Sequence, residues 1–329
     1  MRGVYSWQFI RELFPPAPQF IEKDIPDLSS KVFLITGGAV GIGYQTAKLL
    51  YSKNGSVYIA GRNESSGNDA IAKLRHDHPE SKGRLSFLGL DLGDLTTIKP
   101  AVVEFLAKEN RLDVLWDNAG VMVPPAGSRT VQGYERQLGV NCIGHFLLTS
   151  LLTPLLRQTA AAQAPGAVRV VWVSSSAVHT GPPGGIYWED INNDFGKATQ
   201  LNLYSQSKAG AVYLAAEFAR RNEGTGIVSV AINPGHLKTE LMRHVSSLMQ
   251  RFLNRFVLYD PIYGAYTEVF AGLSPGVTAE DSGRYIMPWG RFGLVKDDLV
   301  AAMKSRVEGG TGGAERFWEF CEEATKPFN

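Results

Sequence analysis

The stretch from Lys31 to Leu50 constrains the fold of this chain more than any other. An apolar run, Lys31-Val32-Phe33-Leu34-Ile35, leads into Thr36-Gly37-Gly38-Ala39-Val40-Gly41-Ile42-Gly43, and Tyr44-Gln45-Thr46-Ala47-Lys48-Leu49-Leu50 then reads as a helix. A strand that turns through glycines into a helix N-terminus makes an anion site, because unpaired backbone N–H groups and the helix dipole both face the turn. Glycine serves where backbone must approach a phosphate closely and where the helix must lie tight on the strand. The spacing is Gly-x-x-x-Gly-x-Gly, with Val40 and Ile42 among Gly37, Gly41 and Gly43, and not the general Gly-x-Gly-x-x-Gly.

The same arrangement of strand followed by motif recurs along the chain. Leu85 to Leu90 precedes Asp91-Leu92, and Leu112 to Trp116 precedes Asp117-Asn118-Ala119-Gly120. Val168 to Val173 precedes Ser174-Ser175-Ser176, and Ile227 to Ile232 precedes Pro234-Gly235, with Leu237 and Thr239 just beyond. Each motif falls at the carboxyl end of an expected strand, where open α/β sheets bind their ligands. The strand Ser56 to Ala60 ends in Gly61-Arg62-Asn63, with no acid before Glu64. An acid at that point takes the ribose 2′-hydroxyl of NAD, whereas an arginine accommodates the 2′-phosphate of NADP, so Arg62 points to NADP(H).

Tyr204-Ser205-Gln206-Ser207-Lys208 lies in a helical pattern, which sets a phenol and an ammonium on one face four residues apart. A phenol ionises near pH 10 and is a poor acid or base at neutrality; a fixed positive charge nearby is expected to bring its pKa down.

Taken together, these motifs resemble the short-chain dehydrogenase/reductase family over about residues 31 to 290. Leu138-Gly139-Val140-Asn141 with Gly144-His145-Phe146, Trp188-Glu189-Asp190-Ile191, and Ala314-Glu315-Arg316-Phe317-Trp318 are similar to its retinol-dehydrogenase-like and WW-domain-oxidoreductase-like branch. Ser175 and Tyr204 are separated by 29 positions, longer than the family's usual interval; the strand-end context identifies the serine. The resemblance implies a Rossmann-type, doubly wound parallel sheet of about seven strands in the order 3-2-1-4-5-6-7, with helices on both faces. It implies Tyr204 as proton donor or base, Lys208 as its partner and a ligand of the nicotinamide ribose, and Ser175 as the group that polarises the substrate oxygen. Asn141 would help hold Lys208 through a proton-relay water. Asp91 and Leu92 would contact the adenine end, Asn118, Ala119 and Gly120 the cofactor's middle, and Pro234, Gly235, Leu237 and Thr239 the nicotinamide and pyrophosphate. The family usually has Asn where Asp117 stands, which puts a direct cofactor role for that position in doubt.

The expected activity is an NADP(H)-dependent interconversion of carbonyl and alcohol, in the manner of reductases of natural-product pathways. A redox-neutral epimerase or cyclase and a non-catalytic cofactor-binding regulator are the alternatives. Organisation follows: an N-terminal arm over 1–30, then one catalytic domain over 31–329 with a substrate lid near 236–263 and a helical C-terminal tail. An ordinary amphipathic core helix is the competing reading of that segment; as a lid, its Leu248, Met249, Phe252, Leu253 and Phe256, with Tyr187 and Trp188 as added walls, favour a hydrophobic small-molecule substrate.

Composition excludes more than it assigns. Lys and Arg number 33 against 32 Asp and Glu, without a dense basic run, which argues against nucleic acid as a partner. Two cysteines with no Cys-x-x-Cys read as reduced thiols of a cytoplasmic protein. No His-Glu-x-x-His occurs among six histidines, and His145 reads as packing. The arm holds Tyr5, Trp7, Phe9, Ile10, Leu13, Phe14 and Phe20 without a membrane-span length of apolar residues; it reads as folded over the protein's own surface, with membrane contact the less favoured reading. A homodimer through helices near 130–160 and 203–222 is the expected assembly, the second carrying Ala209, Gly210, Ala211, Ala215 and Ala216.

Overall fold

Alternation along the first strand sets up the architecture. In β1 (Val32–Thr36), Val32 and Leu34 enter one apolar core while Phe33 and Ile35 enter another on the opposite face. Successive side chains point to opposite faces of a strand, so a run that is apolar throughout must be covered on both sides. The computed structural model, which describes residues 10–238 and 258–329, covers one sheet in this way. Its strands are β1, β2 (Ser56–Gly61), β3 (Arg84–Gly89), β4 (Val114–Asp117), β5 (Val168–Val173), β6 (Ile227–Ile232), β7 (Tyr285–Met287) and β8 (Arg291–Gly293). They lie in the order 3-2-1-4-5-6-7-8. The sheet is parallel from β3 to β7, with Ile35 beside Ile59 on one side and Trp116 on the other. The expected order 3-2-1-4-5-6-7 is present, and β8 extends it as an antiparallel edge, Met287 facing Arg291. Three half-buried residues give no apolar run by which a sequence could announce a strand.

The helices are α1 (Gly41–Ser52), α2 (Glu64–Asp77), α3 (Ile98–Lys108), α4 (Arg136–Ala161), α5 (Gln200–Arg221), α6 (Pro261–Leu273), α7 (Asp297–Met303) and α8 (Gly313–Thr325). One face is covered by α1, α2 and α6, the other by α3, α4 and α5. Strand order reverses between β1 and β4, which opens a crevice at the carboxyl ends of the strands. Among the described residues α4 alone is long and apolar enough to cross a bilayer, yet 78% of its most apolar window is buried inside the protein, which makes it a core helix.

The C-terminal helix lies on α4 and α5. A Cβ at Gly210 would stand 2.7 Å from the Phe317 ring and 2.8 Å from Cys142 Sγ, and Trp318 meets Phe146 edge-on at 4.7 Å. The close approach that Gly210 permits is therefore used by the chain's own α8. At the other terminus, Phe20, Ile25 and Leu28 belong to the α1/α2/α6 core, and Leu28 N–H donates to Lys53 O at 2.7 Å. The second half of the arm is thus built into the fold. Ile10 and Phe14 remain exposed, and Tyr5, Trp7 and Phe9 lie outside the described residues.

Candidate active site

The crevice holds a cavity of about 560 Å³. Its nucleotide end is built from β1 and the turn after it. Gly37 (φ +69°) and Gly41 (φ +59°) occupy the left-handed region that favours glycine. Both line the cavity with Val40 and Ile42. Gly43 lies behind them: a Cβ there would meet Asn118 Nδ2 at 2.6 Å and Gly37 O at 2.7 Å. The third glycine thus lets α1 pack on the turn, while the first two shape the surface.

Thr36 joins this turn to the next strand end, a role its sequence position did not announce. Its Oγ1 accepts from Asn118 N–H and Ala119 N–H, both at 2.9 Å, and Asn118 Nδ2 donates to Thr36 O at 2.7 Å. The same oxygen lies 2.9 Å from His145 Nε2, and His145 Nδ1 lies 3.2 Å from Asn141 O. Burial pushes the His145 pKa down to about 3, so the ring is neutral; a proton on Nδ1 satisfies both contacts. His145, expected as packing, is a buried polar link between the glycine turn and Asn141.

Arg62 stands exposed at the end of β2 and lines the cavity with Asn63 and Ser66. Asn63 caps α2, its Oδ1 accepting from Ser66 N–H at 3.0 Å. Asp91 and Leu92 line the same end; Asp91 Oδ1 accepts from Gly93 N–H at 2.8 Å. Asn118, Ala119 and Gly120 line the middle. Asp117 does not: it is buried behind them, accepting from Thr149 Oγ1 at 2.8 Å. Burial holds its carboxyl well above the usual carboxylate range, opposed by the Thr149 hydrogen bond.

The reaction end gathers Ser175, Tyr204 and Lys208 on one wall. Tyr204 and Lys208 share a face of α5, with Nζ 5.5 Å from the phenol ring centre. Lys208 Nζ donates to Val173 O at 2.8 Å, and the Ser175 side chain hydrogen-bonds Tyr204. The expected lowering of the phenol pKa is not what this arrangement gives. Burial raises Tyr204 to about 12, opposed by the Ser175 hydrogen bond, and lowers Lys208 to about 8. Removal from water disfavours the charged form of both groups.

Asn141 lies in a π-helical stretch of α4 (Gly139–Gly144). Its Oδ1 accepts from Val121 N–H at 2.9 Å, and its Nδ2 donates to Val121 O at 3.0 Å and Ser207 Oγ at 2.9 Å. Asn141 therefore clamps the strand end after Gly120 to α5 immediately before Lys208.

Pro234, Gly235 (φ +97°), His236 and Leu237 form the remaining wall. Thr239 and the lid residues Leu248 to Phe256 lie outside the described residues. The two ends of that segment are pinned together: Lys238 N–H donates to Tyr259 O, and Tyr259 N–H to His236 O, both at 2.9 Å. Leu258, Val121 and Met122 add apolar lining. Tyr187 and Trp188, expected as walls, do not line the cavity. Arg316 of α8 covers the Trp188 ring at 4.0 Å, and Gln206 accepts from Tyr187 N–H at 2.8 Å, which ties the insert to the outer side of α5.

The comparisons agree with this geometry. Residues 31–188 match the family model described as short chain dehydrogenase. A short-chain dehydrogenase/reductase of Phomopsis amygdali is 47% identical over 321 residues, covering 96% of each chain. The short-chain dehydrogenase/reductase pkfC of Emericella nidulans is 44% identical, over 94% of this chain and 97% of its own. Among solved structures, an uncharacterized protein of Mycobacterium paratuberculosis superposes with a TM-score of 0.67 at 27% identity, over 93% of this chain and 97% of that one. With relatives this similar along nearly the whole length, the chain belongs to the short-chain dehydrogenase/reductase family, oxidoreductases that use a nicotinamide cofactor.

Proposed function

We propose that the protein is an NADP(H)-dependent enzyme that interconverts a carbonyl and an alcohol on a hydrophobic small molecule, with Tyr204 as the acid/base. The observation that carries this reading is the junction of Ser175, Tyr204 and Lys208 on one wall of a cavity whose far end carries Arg62. Bound in that cavity, the nicotinamide supplies or accepts the hydride. Tyr204, with its proton held up to a pKa of about 12, meets a carbonyl as a proton donor at neutral pH. Ser175 stabilises the oxygen on which negative charge develops. The Lys208 ammonium stands beside the phenol and favours the phenolate left after transfer. A preference for NADP(H) at Arg62 supports carbonyl reduction as the working direction. Arg62 beside Asn63 and Ser66 supports selection of the 2′-phosphate.

Apolar lining by Val121, Met122, Leu237 and Leu258 supports a hydrophobic substrate. A place in a natural-product pathway accords with the fungal relatives, and a cytoplasmic setting accords with two buried free cysteines, Cys142 and Cys321. A homodimer formed on α4 and α5 would have to accommodate α8, which already lies there.

The test is titration of the purified protein with NADPH and NADH, followed by absorbance assays with apolar ketones and aldehydes. Tighter binding of NADPH and its oxidation by a carbonyl are expected; binding of neither cofactor would overturn the reading. Reduction is further expected to slow as pH rises through about 8, where Lys208 loses its proton. A rate that stays flat from pH 7 to 9 would remove Lys208 from the mechanism.

A further inference from the structure

Glu12 is fully buried, although it lies in the N-terminal arm more than 160 positions from any residue of the reaction end. A carboxylate is not placed there without partners, since a buried charge must be paired or hydrogen-bonded. Two of its partners belong to the two loops that frame the reaction end. His179 Nε2 lies 3.4 Å from Glu12 Oε1, and Asn233 Nδ2 donates to Glu12 Oε2 at 3.3 Å. His179 sits in the short turn Ser176–Thr180, whose cap is Ser175; the Ser175 Oγ accepts from Ala177 N–H at 3.2 Å. Asn233 immediately precedes Pro234, and its Oδ1 accepts from Gly235 N–H at 3.0 Å. With its amide nitrogen held by Glu12, Asn233 has only one orientation in which its oxygen meets Gly235. A third contact closes the frame: Ser176 Oγ lies 3.3 Å from His236 Nε2.

From this geometry we infer that Glu12 is a positioning residue for the reaction end: it fixes the Ser175 turn through His179 and the Gly235 loop through Asn233. The arm is thereby a working part of the site. The inference rests on the proposed reaction, because it assumes that Ser175 and the Gly235 loop flank the reacting atoms. Other ties hold the same arm through elements other than these two loops. Arg291 donates to Pro16 O and Ala17 O, at 3.3 and 2.5 Å, and Tyr266 OH donates to Glu22 at 2.7 Å. They separate a role in holding the arm down from a role in setting the loops.

The experiment compares Glu12→Ala, Glu12→Gln, Arg291→Ala and Glu22→Ala in the full chain. NADPH affinity and the fluorescence of bound NADPH are measured by titration, and kcat with an aryl ketone by absorbance. Glu12→Ala is expected to lower kcat at least tenfold and to halve the fluorescence gain of the bound nicotinamide, with the NADPH Kd within threefold of the parent. Glu12→Gln, which has the same shape and can still accept from Asn233, should recover most of both. Arg291→Ala and Glu22→Ala should leave kcat within twofold. The inference is overturned if Glu12→Ala matches the parent, or if Arg291→Ala and Glu22→Ala lose as much. Should Glu12→Ala not fold, His179→Ala cuts the same tie from the other side, and an unchanged kcat there sinks the idea equally. If the aryl ketone is not turned over, the fluorescence gain alone decides. A parent that binds neither nicotinamide cofactor overturns the underlying reaction and is recognised before any variant is compared.

Discussion

The two ends of the cavity are built by different means. The nucleotide end is made largely of backbone: positive φ at Gly37 and Gly41, a close approach at Gly43, and amides of Asn118 and Ala119 gathered on Thr36. Its parts come from consecutive strand ends and need little help from distant side chains. The reaction end is made of side chains drawn from across the chain: Ser175 from the end of β5, Tyr204 and Lys208 from α5, His236 after β6, with Glu12 beneath them. A backbone site binds what every family member binds. A side-chain site can be altered residue by residue, so chemistry and selectivity are concentrated there.

That contrast can be broken first at Tyr204. Tyr204→Phe should lower turnover by about 10²- to 10⁴-fold, the usual contribution of a positioned acid, while leaving NADPH affinity within about twofold. Near-parental turnover would mean that another group supplies the proton. Next in size is Arg62→Asp, which should weaken NADPH relative to NADH by roughly ten- to a hundredfold, the equivalent of a charged hydrogen bond of about 1.5–3 kcal/mol. An unchanged ratio of the two dissociation constants would place the 2′-phosphate elsewhere. Gly43→Ala tests the backbone end by sterics alone. Overpacking of this kind costs about 1–3 kcal/mol, and it should appear as a lower Tm and weaker cofactor binding, with kcat at saturating cofactor preserved. A Tm and a cofactor affinity equal to the parent's would show that the turn yields without loss.

A separate test, read in stability and not in turnover, concerns the support beneath the nucleotide end. Glu268 of α6 is fully buried and accepts from Thr46 Oγ1 of α1; burial raises its pKa from 4.5 to about 8. A carboxyl whose folded-state pKa is raised binds its proton more tightly in the native state. Its contribution is therefore complete below about pH 4.5 and is lost as pH rises towards about 8. The parent should lose Tm relative to Glu268→Gln across that interval, as followed by thermal unfolding at several pH values. Parallel Tm curves would show that Glu268 is ionised throughout.

The same contrast decides what the sequence reveals. Backbone demands are written locally, since a position that requires positive φ or tolerates no Cβ calls for glycine, and Gly37, Gly41 and Gly43 can be read in order. The pair Tyr204 and Lys208 is legible because helix periodicity alone brings it together. The structure adds what periodicity does not encode. Thr36 looks like an ordinary strand residue until two strands are paired, and Glu12 looks like one charge in an arm until β5 and β6 are adjacent. The direction of the Tyr204 pKa is misread from the helix face alone, because depth of burial is a property of the whole packed wall. The walls expected from Tyr187 and Trp188 fail for a related reason: the Trp188 ring is covered by Arg316 of α8, far along the chain.

The rung between His236–Lys238 and Tyr259 has a consequence for how such an enzyme can change. Whatever lies between positions 238 and 258 is inserted on a stem already closed by backbone bonds. Loop-closure cost grows slowly, by about 0.6 kcal/mol for each doubling of length, so a closed stem is little affected by the number of residues between its ends. Leu237 and Leu258, the residues beside the rung, line the cavity. One wall of the cavity is therefore held by main-chain bonds, which do not depend on the side chains that a substitution alters.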